Sequence, residues 1–152
     1  MKQGFTLIEL LVVISIIGIL IGLSVFGLQG AREVSRDAKR KSDLELIRSG
    51  IEIYKSDCSA YPTGSGDPAT VLNPGGKGLV GTGLSTTCAA TNTYISQIPT
   101  DPVAPNRNYL FSSDGISYEI CAALEQSQAS AVTCGGSNNC GTSTCNYKVV
   151  NP

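Results

Sequence analysis

Two kinds of residue in this 152-residue chain could do chemistry: one isolated carboxylate and a set of cysteines. Glu9 ends the stretch Gly4-Phe5-Thr6-Leu7-Ile8-Glu9, and no other charge follows between Leu10 and Gly30. A carboxylate in such an apolar run is costly unless a cation or hydrogen-bond donors meet it, so Glu9 is expected to be kept for a partner. The six cysteines, at 58, 88, 121, 134, 140 and 145, all lie beyond that run. The chain has no histidine and no Cys-x-x-Cys pair, so they read as disulfides of an oxidising compartment; the rival is a zinc site on Cys134, Cys140 and Cys145. Six cysteines leave many pairings open; we expect Cys58–Cys88, Cys134–Cys140 and Cys121–Cys145.

Catalysis is poorly supplied. Without histidine, acid-base work falls to carboxylates, Lys, Tyr or Cys, and no nucleophile stands beside an evident base. Ser112, Ser113 and Asp114 precede Gly115 and read as a turn. The glycine-rich stretch Asn73-Pro74-Gly75-Gly76-Lys77-Gly78 lacks the Gly-Lys-Ser/Thr ending and following helix of a phosphate loop. With 11 basic and 12 acidic side chains, net charge −1, the chain is not a globally basic nucleic-acid binder. A structural protein, not an enzyme, is expected.

The elements that would position Glu9 and the cysteines are legible in outline. The apolar run is about long enough to cross a bilayer core of ~30 Å. No proline interrupts residues 5 to 61, and Leu44, Ile47, Ile51 and Tyr54 form one helical stripe. One helix from Phe5 to about Asp57 is expected, roughly 80 Å long at 1.5 Å per residue. Gly18, Gly22, Gly27 and Gly30 weaken it locally, which suits either close helix packing or unwinding on assembly. Beyond Cys58 the Gly/Ser/Thr/Pro-rich segment to Thr93 reads as a surface loop. Strands are expected at Asn108–Ser112, Ile116–Leu124 and Asn146–Val150, with Ile116, Tyr118, Ile120, Ala122 and Leu124 facing the helix stripe. Charge alone would keep the C-terminal part inside, because Lys2 is outweighed by Arg32, Arg36, Lys39, Arg40 and Lys41. The cysteines favour the outside, which makes the basic flank an exposed helix with Asp37 and Lys41 at four-residue spacing.

The head of the chain resembles the N-terminal signature of type IV pilins and type II secretion pseudopilins: Lys2 as a basic leader, Gly4 before the cleaved bond, Phe5 as new N-terminus and Glu9 five residues into the mature chain. The resemblance is specific over residues 1 to about 62 and architectural afterwards. Where many pilins carry proline, Phe26 and Gly27 stand here. It implies an α+β, pilin-like fold, in which a long N-terminal helix with an apolar first half packs on a small antiparallel sheet with disulfide-linked loops. The implied organisation is a leader at 1–4, a transmembrane and assembly half-helix at 5–30, and an extracytoplasmic globular domain at 31–152.

The implied function is a subunit of a type IV pilus-like filament at the cell surface. It is inserted in the inner membrane as a single-pass precursor, cut after Gly4 by a prepilin peptidase, often methylated on Phe5, and polymerised into a homo-oligomeric helical filament by an assembly platform and motor. Phe5 and Glu9 would pair between subunits. A type II secretion pseudopilin is the alternative within that class, and a membrane-anchored disulfide-rich binding module the alternative outside it. No cofactor is required, although Asp101 and Asp114, in Ile98-Pro99-Thr100-Asp101-Pro102 and Ser113-Asp114-Gly115, resemble the calcium-binding loop region of major pseudopilins, with oxygen ligands suited to a hard cation.

Overall fold

The computed structural model describes residues 4–76 and 78–152; the first three residues of the expected leader, and Lys77, lie outside them. Helix α1, Leu7–Cys58, spans 52 residues. The chain divides into two units, Met1–Ser35 and Arg36–Pro152.

In the first unit Thr6 starts the helix by capping it, and the four spaced glycines stay helical. The described side chains of residues 4–24 and 27–32 are all exposed in the single chain. Phe5 is 87% exposed, Leu7 81% and Leu23 70%, so the described apolar side chains of this unit are open to their surroundings in the single chain. By length and composition this part of α1 can cross a membrane.

In the second unit α1 ends where Ser59 takes a left-handed conformation (φ 64°) and donates its N–H to the Lys55 carbonyl at 2.8 Å. The chain then forms strand β1 (Gly64–Gly66) and a short helix α2 (Pro68–Val71), capped by Asp67, whose side chain accepts the Ala69 N–H at 2.8 Å. Next come β2 (Leu79–Val80), β3 (Thr93–Ile95), β4 (Leu110–Ser113) and β5 (Tyr118–Ala122). The chain closes with β6 (Asn139–Cys140), β7 (Ser143–Thr144) and β8 (Tyr147–Val150). A four-stranded antiparallel sheet runs β1-β4-β5-β8, and β2-β3 and β6-β7 are two-stranded.

The helix stripe and the sheet make the core. Leu44, Ile47 and Ile51 are fully buried against Phe111, Tyr118, Ile120, Ala122 and Val149, and each such aliphatic side chain contributes about 1.5–3 kcal/mol by leaving water. Strand alternation sends Leu110, Cys121 and Ala123 to a second cluster with Cys134, Cys140 and Cys145. Four tyrosines pin sheet and loops to α1: Tyr109 donates to Asp43 at 2.8 Å, Tyr118 to Glu52 at 2.8 Å, Tyr61 to Glu52 at 3.1 Å, and Tyr94 to Asp57 at 3.1 Å. Burial, then the Asp43 carboxylate, pushes the Tyr109 hydroxyl pKa well up, so it remains a donor. Gly50 is needed for close approach, since a Cβ there would overlap the Ile95 side chain.

Several expectations are corrected. The Cys58–Thr93 segment is not only a loop, because it supplies β1, α2, β2 and the start of β3. Ile116 is 80% exposed rather than inward. It belongs to the turn, its N–H bonded to Asp114 Oδ1 at 2.9 Å, so the strand period does not reach it. The basic flank is not simply an exposed face either. Arg40 is fully buried, Asp37 pairs with it instead of with Lys41, and Lys41 lies 5.7 Å from the Tyr147 ring centroid.

Candidate functional site

The first site is the head of α1. Thr6 and Glu9 form a capping box: the Glu9 N–H donates to Thr6 Oγ1 at 3.3 Å, and Glu9 Oε2 accepts from the Thr6 N–H at 2.8 Å. Thr6 Oγ1–H donates to the same Oε2 at 2.6 Å. Sequence reading singled out Glu9 and passed over Thr6, although Thr6-Leu7-Ile8-Glu9 is the Thr-x-x-Glu spacing of that motif. Phe5, Ile8, Val12 and Val13 surround the carboxylate with apolar surface. Among the described residues no cation meets Glu9, and Glu9 Oε1 accepts no hydrogen bond. The arrangement caps its own helix through Oε2, and Oε1 is left as a negative acceptor for a group outside the described residues. Gly4 and Phe5 precede the helix and are exposed.

All six cysteines are bonded, as Cys58–Cys88, Cys121–Cys134 and Cys140–Cys145. The expected Cys134–Cys140 and Cys121–Cys145 links are therefore corrected. The β6-β7 hairpin brings Cys140 beside Cys145, the Val132 N–H bonds to the Cys145 carbonyl at 2.9 Å, and Cys121 and Cys134 are buried in the same cluster.

The two proposed calcium ligands are not brought together. Asp101 is buried against Arg40, while Asp114 lies in the β4-β5 turn, whose Gly115 carbonyl accepts the Tyr61 N–H just past the end of α1. Arg40 and Cys58 are separated by a helical distance on the order of 25 Å. Asp114 Oδ1 accepts the N–H groups of Ile116 and Ser117 at 2.9 and 2.8 Å, which is turn chemistry. Asp101 uses both oxygens on Arg40, Oδ2 to Nε at 2.7 Å and Oδ1 to Nη2 at 3.0 Å, and Oδ1 also accepts the Val103 N–H at 2.8 Å. These two residues do not fit a shared calcium ion.

Arg40 is instead the centre of an ion cluster that sequence reading missed. Its Nη1 reaches Asp37 Oδ1 at 2.8 Å and Glu125 Oε1 at 2.7 Å, and Arg36 forks onto Glu125. Asp37 also takes the N–H groups of Glu125 and Gln126. The Arg36 guanidinium, against the pull of burial and with help from Arg40, lowers the Glu125 carboxyl to about 2 from an ordinary 4.5. Burial pushes Asp37 up, but the Gln126 and Glu125 N–H groups and Arg40 more than offset it, leaving it lowered. Both groups are more acidic folded than unfolded, so their contribution is complete above the unfolded value and is lost as pH falls towards about 2. Acid unfolding followed by circular dichroism should therefore set in below about pH 4 and be shallower in Glu125→Gln. An identical acid limb in that variant would count against this assignment.

Residues 1–25 match the family described as the prokaryotic N-terminal methylation motif. The chain is 36% identical over 104 residues to type II secretion system core protein G of Escherichia coli K12, covering 66% of each chain. It is 33% identical over 114 residues to the protein of that name from Vibrio cholerae, covering 74% of this chain and 73% of the relative. With that of Dickeya chrysanthemi it shares 44% over 62 residues, 41% of this chain and 40% of the relative. No solved structure matches. The likeness to these relatives extends well past the methylation motif into the disulfide-linked unit, and the chain belongs to the type II secretion system core protein G family, the pseudopilin branch of the pilin-like proteins.

Proposed function

We propose that this chain is the repeating structural subunit of a secretion pseudopilus, held first as a single-pass membrane precursor and then polymerised through the first half of α1. The observation that carries this reading is Glu9, capped by Thr6 at the head of a helix whose described apolar side chains have no cover from their own chain. Lipid covers that surface in the precursor, and the helices of other copies cover it in the filament. The relatives named core protein G favour the pseudopilus over the surface pilus of the first expectation. Processing by a prepilin peptidase after Gly4, methylation of Phe5, and an assembly platform with its motor belong to this proposal. So does the division into a leader at 1–4, an assembly half-helix at 5–30 and an extracytoplasmic domain at 31–152. The role is scaffolding rather than turnover.

Mass spectrometry of the N-terminal peptide from assembled material tests the reading. The chain should begin at Phe5 carrying a methyl group, and Gly4→Leu should accumulate as uncut precursor in the membrane fraction. Intact Met1–Gly4 in filaments would remove the processing step and with it the polymerisation scheme.

A further inference from the structure

We infer that Arg40 does in this chain the work that a bound divalent cation would otherwise do, fastening the 99–108 segment and the end of β5 to α1, so that the fold is independent of calcium. The inference stands apart from the filament reading, because it concerns only the Arg36–Pro152 unit.

Three carboxylates from separate parts of the chain converge on one fully buried guanidinium: Asp37 from α1, Asp101 from the segment before β4, and Glu125 from just after β5. A hard cation recruits carboxylates in this way, with oxygens gathered from distant segments around a central positive charge. Here the oxygens are already taken. Asp101 gives one to Nε and one to Nη2, Glu125 gives Oε1 to Arg36 and Arg40, and Asp37 divides its two between Arg40 and the N–H groups of Glu125 and Gln126.

Metal entry would require expelling a fully buried guanidinium and would leave its charge unpaired. The planar fork also fixes directions that a spherical ion leaves free, which explains how two oxygens of Asp101 are held in register beside the Val103 N–H. Among the described residues no group of three His, Cys, Asp or Glu side chains is arranged to hold an ion. Asp114, the other candidate ligand, serves its own turn.

Thermal unfolding of the full-length protein in detergent micelles, followed by circular dichroism in calcium chloride or in EGTA, tests the inference. The unaltered chain should melt at the same temperature in both. A midpoint raised by several degrees in calcium, an effect that saturable binding to the native state would produce, overturns the proposal. Arg40→Met should lower the midpoint by roughly 10 °C or more in either buffer, because three carboxylates then lose their common partner. Should that variant fail to accumulate, Arg40→Lys decides: it keeps the charge but cannot fork onto Asp101 and should melt clearly below the unaltered chain. Unchanged melting of Arg40→Lys overturns the role of the fork. Asp101→Asn should be equally destabilised with and without calcium; destabilisation confined to the calcium buffer would assign Asp101 to the metal and overturn the inference.

Discussion

Glu9→Ala and Glu9→Gln are both expected to leave the precursor folded and membrane-inserted while cutting filament yield about tenfold or more, through loss of a charge-assisted contact between subunits. The two variants separate two jobs of one carboxylate. Within its own chain Glu9 accepts the Thr6 N–H through Oε2 and completes the capping box. Glutamine serves that box nearly as well, so a purely local role would be rescued by Glu9→Gln. Between subunits the partner in this reading is the ammonium created at Phe5 by cleavage, which needs a negative charge rather than a neutral amide. Filament yield by electron microscopy, measured beside the membrane-fraction level of each variant, distinguishes them. Normal filaments from Glu9→Gln with loss only in Glu9→Ala would reduce Glu9 to a helix cap. Normal filaments from both would return the head of α1 to a plain anchor. Co-expression with unaltered subunit should restore part of the yield, because a variant copy between unaltered ones keeps its Phe5 contact and lacks only the one made by residue 9.

The second large effect is expected at the disulfides, and it should differ among the three. The linked cysteines are 30, 13 and 5 residues apart in Cys58–Cys88, Cys121–Cys134 and Cys140–Cys145. Cross-linking restricts the unfolded chain more when the closed loop is longer, which corresponds to about 3.6, about 2.9 and about 2.1 kcal/mol respectively. Removing Cys58–Cys88 as a double alanine variant also frees the loop that Thr87 ties to the Asp57 carbonyl at 2.9 Å. The Cys140–Cys145 pair closes a hairpin that β6-β7 pairing already holds, so its loss should be mildest. Urea unfolding of the three double variants under non-reducing conditions gives the order. The largest loss at Cys140–Cys145 would show that strain or packing, rather than loop closure, governs these bridges.

Features that depend on neighbours in sequence were legible before any fold was known. The apolar run, the Leu44-Ile47-Ile51-Tyr54 stripe and the β4-β5 turn are all written within a few residues, because helical and strand periods are local properties of the backbone. The Thr6-x-x-Glu9 cap is equally local, written within four consecutive residues.

By itself the sequence determined a long helix with an uncovered apolar half, a carboxylate at its head, and an oxidised C-terminal unit packed on the other half. The tertiary structure alone decided how Cys121, Cys134, Cys140 and Cys145 pair, that Arg40 is buried, and that Asp101 belongs to Arg40 and not to Asp114. Arg40 meets Asp101 across 61 residues, and Asp37 meets the Glu125 N–H across 88. At such separations no residue spacing specifies the partner. A lysine- and arginine-rich helical turn reads as solvated until the sheet folds over it, and the guanidinium is then held by whichever carboxylates the chain path delivers.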